Sequence, residues 1–227
     1  MSHLHIPDGV LPWMVWAPAW LLALVVLGLS AWASRHAAPR QIAYRGTLGA
    51  LVLAAMTLTL PLGPLEYHLS LLGVLGVLAG PAGAFEALFI VSAILAFAGH
   101  GGLTVIGLNA LVLGAGAAVG RPVYTALAGR FGAPRALAAA AAASQTVAGG
   151  AWTVVMLACL GRMPALFDPR VSLLWIVGIA VTVGIFGVTV ETLVALGLGR
   201  FLERVKPELL PGGDPRERSP LAGGIAA

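Results

Sequence analysis

Long apolar runs separated by short polar breaks occupy most of the chain. A membrane-spanning helix needs about 20 mostly apolar residues, because each residue adds about 1.5 Å along an axis that must cross a core about 30 Å thick. Candidate spans lie at residues 13–33, 46–62, 69–79, 84–98, 103–120, 136–160 and 172–198. The run 69–79 ends at Gly80-Pro81 and is short enough to be either a thin span or half of a hairpin. If this run is counted as a span, the sequence predicts an all-α bundle of about seven transmembrane helices.

The composition favours a membrane protein over a soluble domain. Hydrophobic residues make up 59% of the 227 and charged residues only 10%, whereas soluble domains average about 25% charged. The 30 glycines and the alanine run 138–143 suit helices that pack closely in lipid. The formal charge of +4 is spread between apolar spans with no basic helix face, so we do not expect nucleic acid as a partner. A single cysteine, Cys159, excludes an internal disulfide and is expected to be a small buried hydrophobe.

The basic residues predict which side of the membrane each loop faces. With seven spans and the N-terminus outside, eleven of the 13 Lys and Arg residues fall on the inner side. They are Arg35, Arg40, Arg45, Arg121, Arg130, Arg135, Arg200, Arg204, Lys206, Arg216 and Arg218. Only Arg162 and Arg170 fall outside, and basic loops near span ends resist translocation. This asymmetry, which a count of six spans would weaken, predicts an external N-terminus and a cytoplasmic C-terminus.

The end of the chain differs in composition from the rest. Residues 207–227 are rich in proline, glycine and charge and have no apolar face, so we expect a disordered cytoplasmic tail. Residues 1–206 then form a single transmembrane domain surrounded by membrane lipid, without a soluble second domain.

Four of the five histidines share the predicted outer side. They are His3, His5, His68 and His100. Neutral imidazole is a common ligand of nickel, copper and cobalt. The amine of Met1, or of Ser2 if Met1 is removed, can close chelate rings with backbone amides and the His3 imidazole, and such planar nitrogen sets favour nickel(II) or copper(II) over zinc. The alternative is that each histidine is only a solvated loop residue.

Other chemistry is sparse in the sequence. No GxxxxGK[ST] phosphate loop is present and the only lysine, Lys206, lies in the tail, so any coupling to ATP must come from a partner. The loops carry no Ser/His/Asp group typical of catalysis, and we expect neither an enzyme nor a prosthetic group. Glu86 and Glu191 are the acids in or near apolar spans. They are expected either to reach an interface or another subunit, or to take part in transport.

Several motifs, taken in order, resemble the CbiM/NikM family. They are His5-Ile6-Pro7-Asp8-Gly9, His68 followed by Leu69, Gly80-Pro81, and Gly101-Gly102-Leu103-Thr104 continuing to Gly107-Leu108-Asn109. The match covers roughly the first half of the chain, and the HIPDG motif is its most specific part. Proteins of this family are the substrate-binding membrane components (S components) of energy-coupling factor (ECF) importers for cobalt and nickel ions.

The resemblance implies a seven-helix fold with an external N-terminus, in the plasma (inner) membrane of a prokaryote. It implies that segment 1–12 folds into the bundle, where its amine, a backbone amide and its histidine bind the metal together with His68. Asn109 and the Gly101-Gly102 loop would hold this segment, with Asp8-Gly9 as supporting residues or simply a turn before the first helix. Nickel or cobalt would be the transported substrate, and a transmembrane coupling subunit and ATPase subunits would be the partners.

One departure from the family pattern leaves the ligand set open. The family places the HIPDG histidine directly after the initiator methionine, whereas Ser2, His3 and Leu4 precede His5 here. Either His5 keeps the family position and the amine is displaced, or His3 takes the place beside the amine, alone or together with His5. The family pattern does not require a histidine at position 100, so His100 is either an extra ligand or incidental.

Two rival functions stay open at the level of sequence. One is a structural or assembly membrane protein whose histidines are incidental. The other is a solitary metal permease, channel or exchanger, for which we expect carboxylates that line a pathway in the middle of the membrane.

Overall fold

Helices dominate the fold. The computed structural model describes residues 6, 8–62, 65–160 and 169–212. The helices in these ranges are α1 Trp13–Ser34, α2 Pro39–Thr57, α3 Leu72–Phe97, α4 Ile106–Phe131, α5 Ala133–Cys159 and α6 Pro169–Val205. A short antiparallel pair of strands, β1 Thr59–Leu62 and β2 Leu65–His68, connects α2 to α3.

Five of these helices are long and apolar enough to cross a membrane. They are α1, α3, α4, α5 and the part Leu173–Val205 of α6. The helix α2 carries Arg40 and Arg45 in its first half, which lowers its apolar character. The helical class predicted from the apolar runs is therefore confirmed, whereas the number of about seven spans and the sidedness of the termini stay predictions.

The third helix contains a break where the sequence predicts one. At Gly80 the backbone leaves the helical region, with φ 72° and ψ 168°, so α3 consists of two helical segments that meet there. The following residue, Pro81, has no backbone N–H to donate and can begin a helical segment without losing a hydrogen bond. The runs predicted at 69–79 and 84–98 thus correspond to the two segments of one element.

Several predicted boundaries differ from the structure, and two of these differences change the connections between elements. The run 46–62 continues past the end of α2 at Thr57, and its last residues form β1. The predicted inner segment 121–135 is mostly helical, because α4 continues to Phe131 and only Gly132 separates it from α5. Hydropathy marks the apolar part of a helix, whereas backbone hydrogen bonding continues through positions whose long charged side chains can reach water.

Small residues allow the central helices to pack closely. The most extensive contacts join α3 to α4, α4 to α5 and α5 to α6, while α1 packs against α3 and α4. A Cβ added at Gly73 would lie 2.4 Å from the Cα of Ala141, so the α3 and α5 backbones are nearly in contact. The buried core built around these helices consists largely of Ala, Val and Leu.

Two basic side chains lie near the end of the first segment of α3. Arg45 donates a hydrogen bond to Ser34 at the end of α1 (2.7 Å), and its Nη1 lies 3.7 Å from Glu86. The guanidinium of Arg121 lies beside Gly80. The side of the membrane that this end faces stays a prediction.

The first residues of the segment 207–227, which is predicted to be a disordered tail, have a described structure. Pro207–Leu209 form a turn of 3-10 helix, and Leu210 is 4% exposed. Both Leu209 and Leu210 pack against the main core, and this burial of apolar surface stabilises the turn. Residues 213–227 lie outside the described residues.

Candidate metal centre

His68 is the last residue of the strand pair between α2 and α3. It lies opposite Thr59 in the antiparallel register, and only 7% of it is exposed. Histidines in loops are mostly solvated, whereas this ring is enclosed by the bundle. The outer-loop position expected for His68 is therefore a buried position at the edge of the helical core.

His100 lies next to His68, although the two residues are 32 positions apart. It follows α3 in the loop to α4, and its backbone N–H donates to the Leu95 carbonyl (2.8 Å). The ring centroids of the two histidines are 5.8 Å apart, and the ring planes are nearly perpendicular at 88°. Two imidazoles bound to one ion at about 2.0–2.1 Å have ring centres about 4.5–6.4 Å apart. The observed separation is thus compatible with a shared metal ion.

Asn109 holds the backbone of Ile6 with two hydrogen bonds. The Ile6 N–H donates to Asn109 Oδ1 (2.9 Å), and Asn109 Nδ2 donates to the Ile6 carbonyl (3.3 Å). The same carbonyl accepts from the Gly102 N–H (3.0 Å). Ile6 is 1% exposed and Asn109 2% exposed. The residue that directly follows His5 is therefore fixed against α4 and against the loop that carries His100.

Asp8 makes the second attachment of this segment. Its carboxylate accepts from the backbone N–H groups of Leu103 and Thr104, each at 2.8 Å, and from the Thr104 hydroxyl. Partial desolvation raises the pKa of Asp8, but the hydrogen bonds from Thr104 and Leu103 outweigh it and leave the pKa below its usual value. Asp8 is therefore ionised at neutral pH. We call Ile6, Asp8, Asn109 and the loop 102–104 the N-terminal clasp.

Gly102 is required for the close approach of Asp8. A Cβ at this position would lie 2.5 Å from the Asp8 backbone nitrogen, a distance that real Cβ atoms do not reach. Gly101 lies in the same loop, and Gly9 lies in the turn before α1. The supporting residues named from the sequence thus lie together, around the base of the N-terminal segment.

Four of the proposed ligand residues stand at the start of the chain. Met1, Ser2, His3 and His5 lie outside the described residues. Among the residues that the structure does describe, no group of three His, Cys, Asp or Glu side chains could hold a metal ion. The histidine pair therefore needs additional ligands to form a complete site.

Sequence reasoning missed Trp20 in this region, and it named Glu191 without connecting it to His68. The Trp20 indole donates to the Thr104 carbonyl (2.7 Å), which fixes the clasp loop to α1. Glu191 is 1% exposed and hydrogen-bonded behind His68, so it neither reaches an interface nor faces another subunit. A carboxylate inside an apolar run was the feature of the sequence that singled out Glu191. Nothing in the sequence identified its hydrogen-bond partners.

The fold and this region define a multi-pass helical membrane protein with a histidine pair and a fixed N-terminal segment in one place. The chain belongs to the CbiM family, whose model, described as the cobalt uptake substrate-specific transmembrane region, matches residues 5–209. The resemblance seen in the sequence motifs is thereby confirmed.

Two crystal structures share the fold. One is of a truncated transition metal transporter, with a TM-score of 0.71 and 20% identity over 87% of this chain and 99% of that chain. The other is of a transition metal transporter, with a TM-score of 0.72 and 20% identity over 88% of this chain and 95% of that chain. A comparison with curated proteins gives no match.

Proposed function

We propose that the protein is the substrate-binding membrane component of an ECF importer for nickel or cobalt ions. Membership of a cobalt uptake family supports metal transport, and the similar folds of two transition metal transporters agree with it. The observation that carries the proposal is the N-terminal clasp. The clasp fixes Ile6, the residue after His5, to the loop that carries His100. The His100 ring in turn contacts the His68 ring.

The proposed ligands come from two directions. His68 supplies an imidazole from the strand pair, and His100 supplies a second one from the neighbouring loop. The N-terminal segment supplies His5, His3 or both, with the amine of Met1 or Ser2 where the terminus is free. A site rich in nitrogen suits nickel, cobalt or copper rather than the oxygen-preferring magnesium or calcium.

The free-energy cost of moving an ion through lipid explains why a binding protein is needed for transport. A divalent ion cannot cross the apolar core alone, so the nitrogen site captures it on the outer face and releases it inside when the bundle reorients. The chain contains no Walker motif, so the energy comes from ATPase subunits through a transmembrane coupling subunit. The external N-terminus and the cytoplasmic tail belong to this proposal.

Blocking the N-terminus tests the ligand set directly. Acetylating the amine, or adding a short N-terminal extension, removes a nitrogen ligand without changing a side chain. We expect nickel affinity to fall at least tenfold and the visible d–d absorption of bound nickel to change. A tag of equal length at the C-terminus is the matched control. Unchanged affinity and spectrum would mean that the amine is not a ligand.

The deletion of Ser2-His3-Leu4 separates the two histidine alternatives. It places a methionine directly before His5, as in the family pattern, and we expect affinity to be kept or increased if His5 is the ligand. A loss of affinity would assign the role to His3 instead.

Uptake measurements separate an S component from a solitary permease. Cells that express the chain with the coupling and ATPase subunits of an ECF importer should accumulate nickel or cobalt, and cells that express the chain alone should not. ATP-independent uptake by the chain alone would support the permease, and a wild-type protein that binds neither ion would refute the proposed function.

A further inference from the structure

A buried carboxylate lies directly behind the strand pair that carries His68. Glu191, in α6, accepts hydrogen bonds from the Ser70 backbone N–H (2.5 Å) and the Ser70 hydroxyl (2.6 Å). The Leu71 N–H lies 3.1 Å from each of its oxygens, and the Tyr67 hydroxyl donates to it at 3.2 Å. Both oxygens act as acceptors.

The donors to Glu191 lie on both sides of His68 in the sequence. Tyr67 precedes His68, and Ser70 and Leu71 follow it closely. The Tyr67 phenol is buried, and its hydroxyl donates to the carboxylate. Glu191 thus fixes the short stretch of chain that contains His68 at both ends.

This stretch needs such support. A two-stranded pair of four-residue strands is marginally stable by itself. Leu71 has a left-handed backbone (φ 52°), which is unfavourable for a residue with a side chain, and its N–H is held by the carboxylate. The neighbouring backbone therefore keeps its shape through contacts made outside the strands.

The same contacts connect His68 to α5 and α6. The Ser70 hydroxyl lies 3.1 Å from the side-chain amide of Gln145 in α5. In α6, a Cβ at Gly187 would lie 2.8 Å from the Tyr67 ring, so only glycine lets this helix approach so closely. Three elements therefore meet at one polar cluster inside the bundle, which we call the Glu191 anchor (Tyr67, Ser70, Leu71, Gln145 and Glu191).

We infer that Glu191 is a positioning residue that sets the orientation of the His68 imidazole for metal binding. The inference rests on the proposed function, since it needs a metal bound by His68. Residues behind the ligands often fix ligand geometry, and their loss weakens metal binding about 10-fold to 100-fold in known sites. The Glu191 carboxylate acts on His68 through the backbone of Ser70 and Leu71 and through Tyr67.

The test compares Glu191→Gln with Glu86→Gln in purified full-length protein. Glutamine keeps the shape and one accepting oxygen but loses the second. We expect Glu191→Gln to lower nickel affinity at least fivefold and to shift the d–d absorption of bound nickel. Glu86→Gln also removes a carboxylate from α3, where it faces Arg45, and should leave affinity within twofold of wild type.

Milder variants keep the test decisive if Glu191→Gln does not fold. Tyr67→Phe and Ser70→Ala each remove one donor group, and both should lower nickel affinity and change the absorption spectrum while thermal stability stays close to wild type. Folded variants with wild-type affinity and spectrum would overturn the inference although the proposed function stands. A wild-type protein that binds neither nickel nor cobalt would overturn both.

Discussion

Asp8 and Glu191 are two carboxylates with similar hydrogen bonds in different surroundings. Each accepts from two consecutive backbone N–H groups and from a hydroxyl, and each attaches a segment of the proposed site to the bundle. Asp8 is exposed, whereas Glu191 is 1% exposed. Water can replace the partners of Asp8 if these hydrogen bonds are lost, but it cannot reach those of Glu191.

This difference separates an attachment in contact with water from one that is buried. A hydrogen bond lost in contact with water costs little, whereas a buried donor without an acceptor keeps its full desolvation cost. The Asp8 contacts of the N-terminal clasp can therefore exchange with water, whereas its Ile6–Asn109 contacts are buried. The Glu191 anchor suits the fixed side of the site, which carries His68.

The largest expected effect is on stability, and it distinguishes the two carboxylates. Glu191→Leu keeps the volume but leaves buried N–H and O–H groups without acceptors, so we expect the free energy of unfolding to fall by about 3 kcal/mol or more. Asp8→Ala should cost about 1 kcal/mol or less, because water replaces the lost acceptor. Thermal unfolding in the same detergent measures both.

Equal losses in these two variants would contradict the comparison. Glu86→Leu is a useful third variant, since this carboxyl is partly exposed and faces one arginine at 3.7 Å. Its effect should lie between the other two.

The second prediction concerns affinity and sharpens the comparison between the buried and the exposed side of the proposed site. His68→Ala should lower nickel or cobalt affinity at least tenfold, about 1.4 kcal/mol, without loss of the fold. His100→Ala should have a smaller effect, because His100 is exposed and lies on the loop that the clasp holds. Calorimetric titration of the two variants checks this order, and wild-type affinity in His68→Ala would remove that residue from the site.

The smallest expected effect is that of the ionisation of Asp8 on the pH dependence of nickel binding. Its folded pKa lies below the ordinary value of 3.8, so its contribution is complete above that value and is lost only as the pH falls through the lower folded pKa. Metal binding needs neutral imidazole, so nickel affinity should fall on mild acidification, at pH values well above 3.8. Wild type and Asp8→Ala should therefore show the same pH midpoint of nickel binding. A midpoint shifted by the substitution would show that the clasp itself titrates in this range.

The sequence predicted the helical class, the break at Gly80 and the motifs that place the chain in its family. These features depend on local properties. An apolar run of membrane length favours a helix in lipid, and Gly80-Pro81 restricts the backbone at that position. It also singled out Asp8, Asn109 and the Gly101-Gly102 loop, through resemblance rather than through any physical pattern.

The tertiary structure alone decided which distant residues meet. The contact of His68 with His100 and the burial of Glu191 against Ser70 depend on how whole helices pack. In the sequence, Glu86 and Glu191 are equivalent acids in apolar runs, yet one faces an arginine and the other binds the backbone beside His68. Local preferences determine the helices because their hydrogen bonds join residues close in sequence. Partners 121 positions apart, such as Ser70 and Glu191, come into contact only when helices pack against each other. Small residues such as Gly187 allow this close packing.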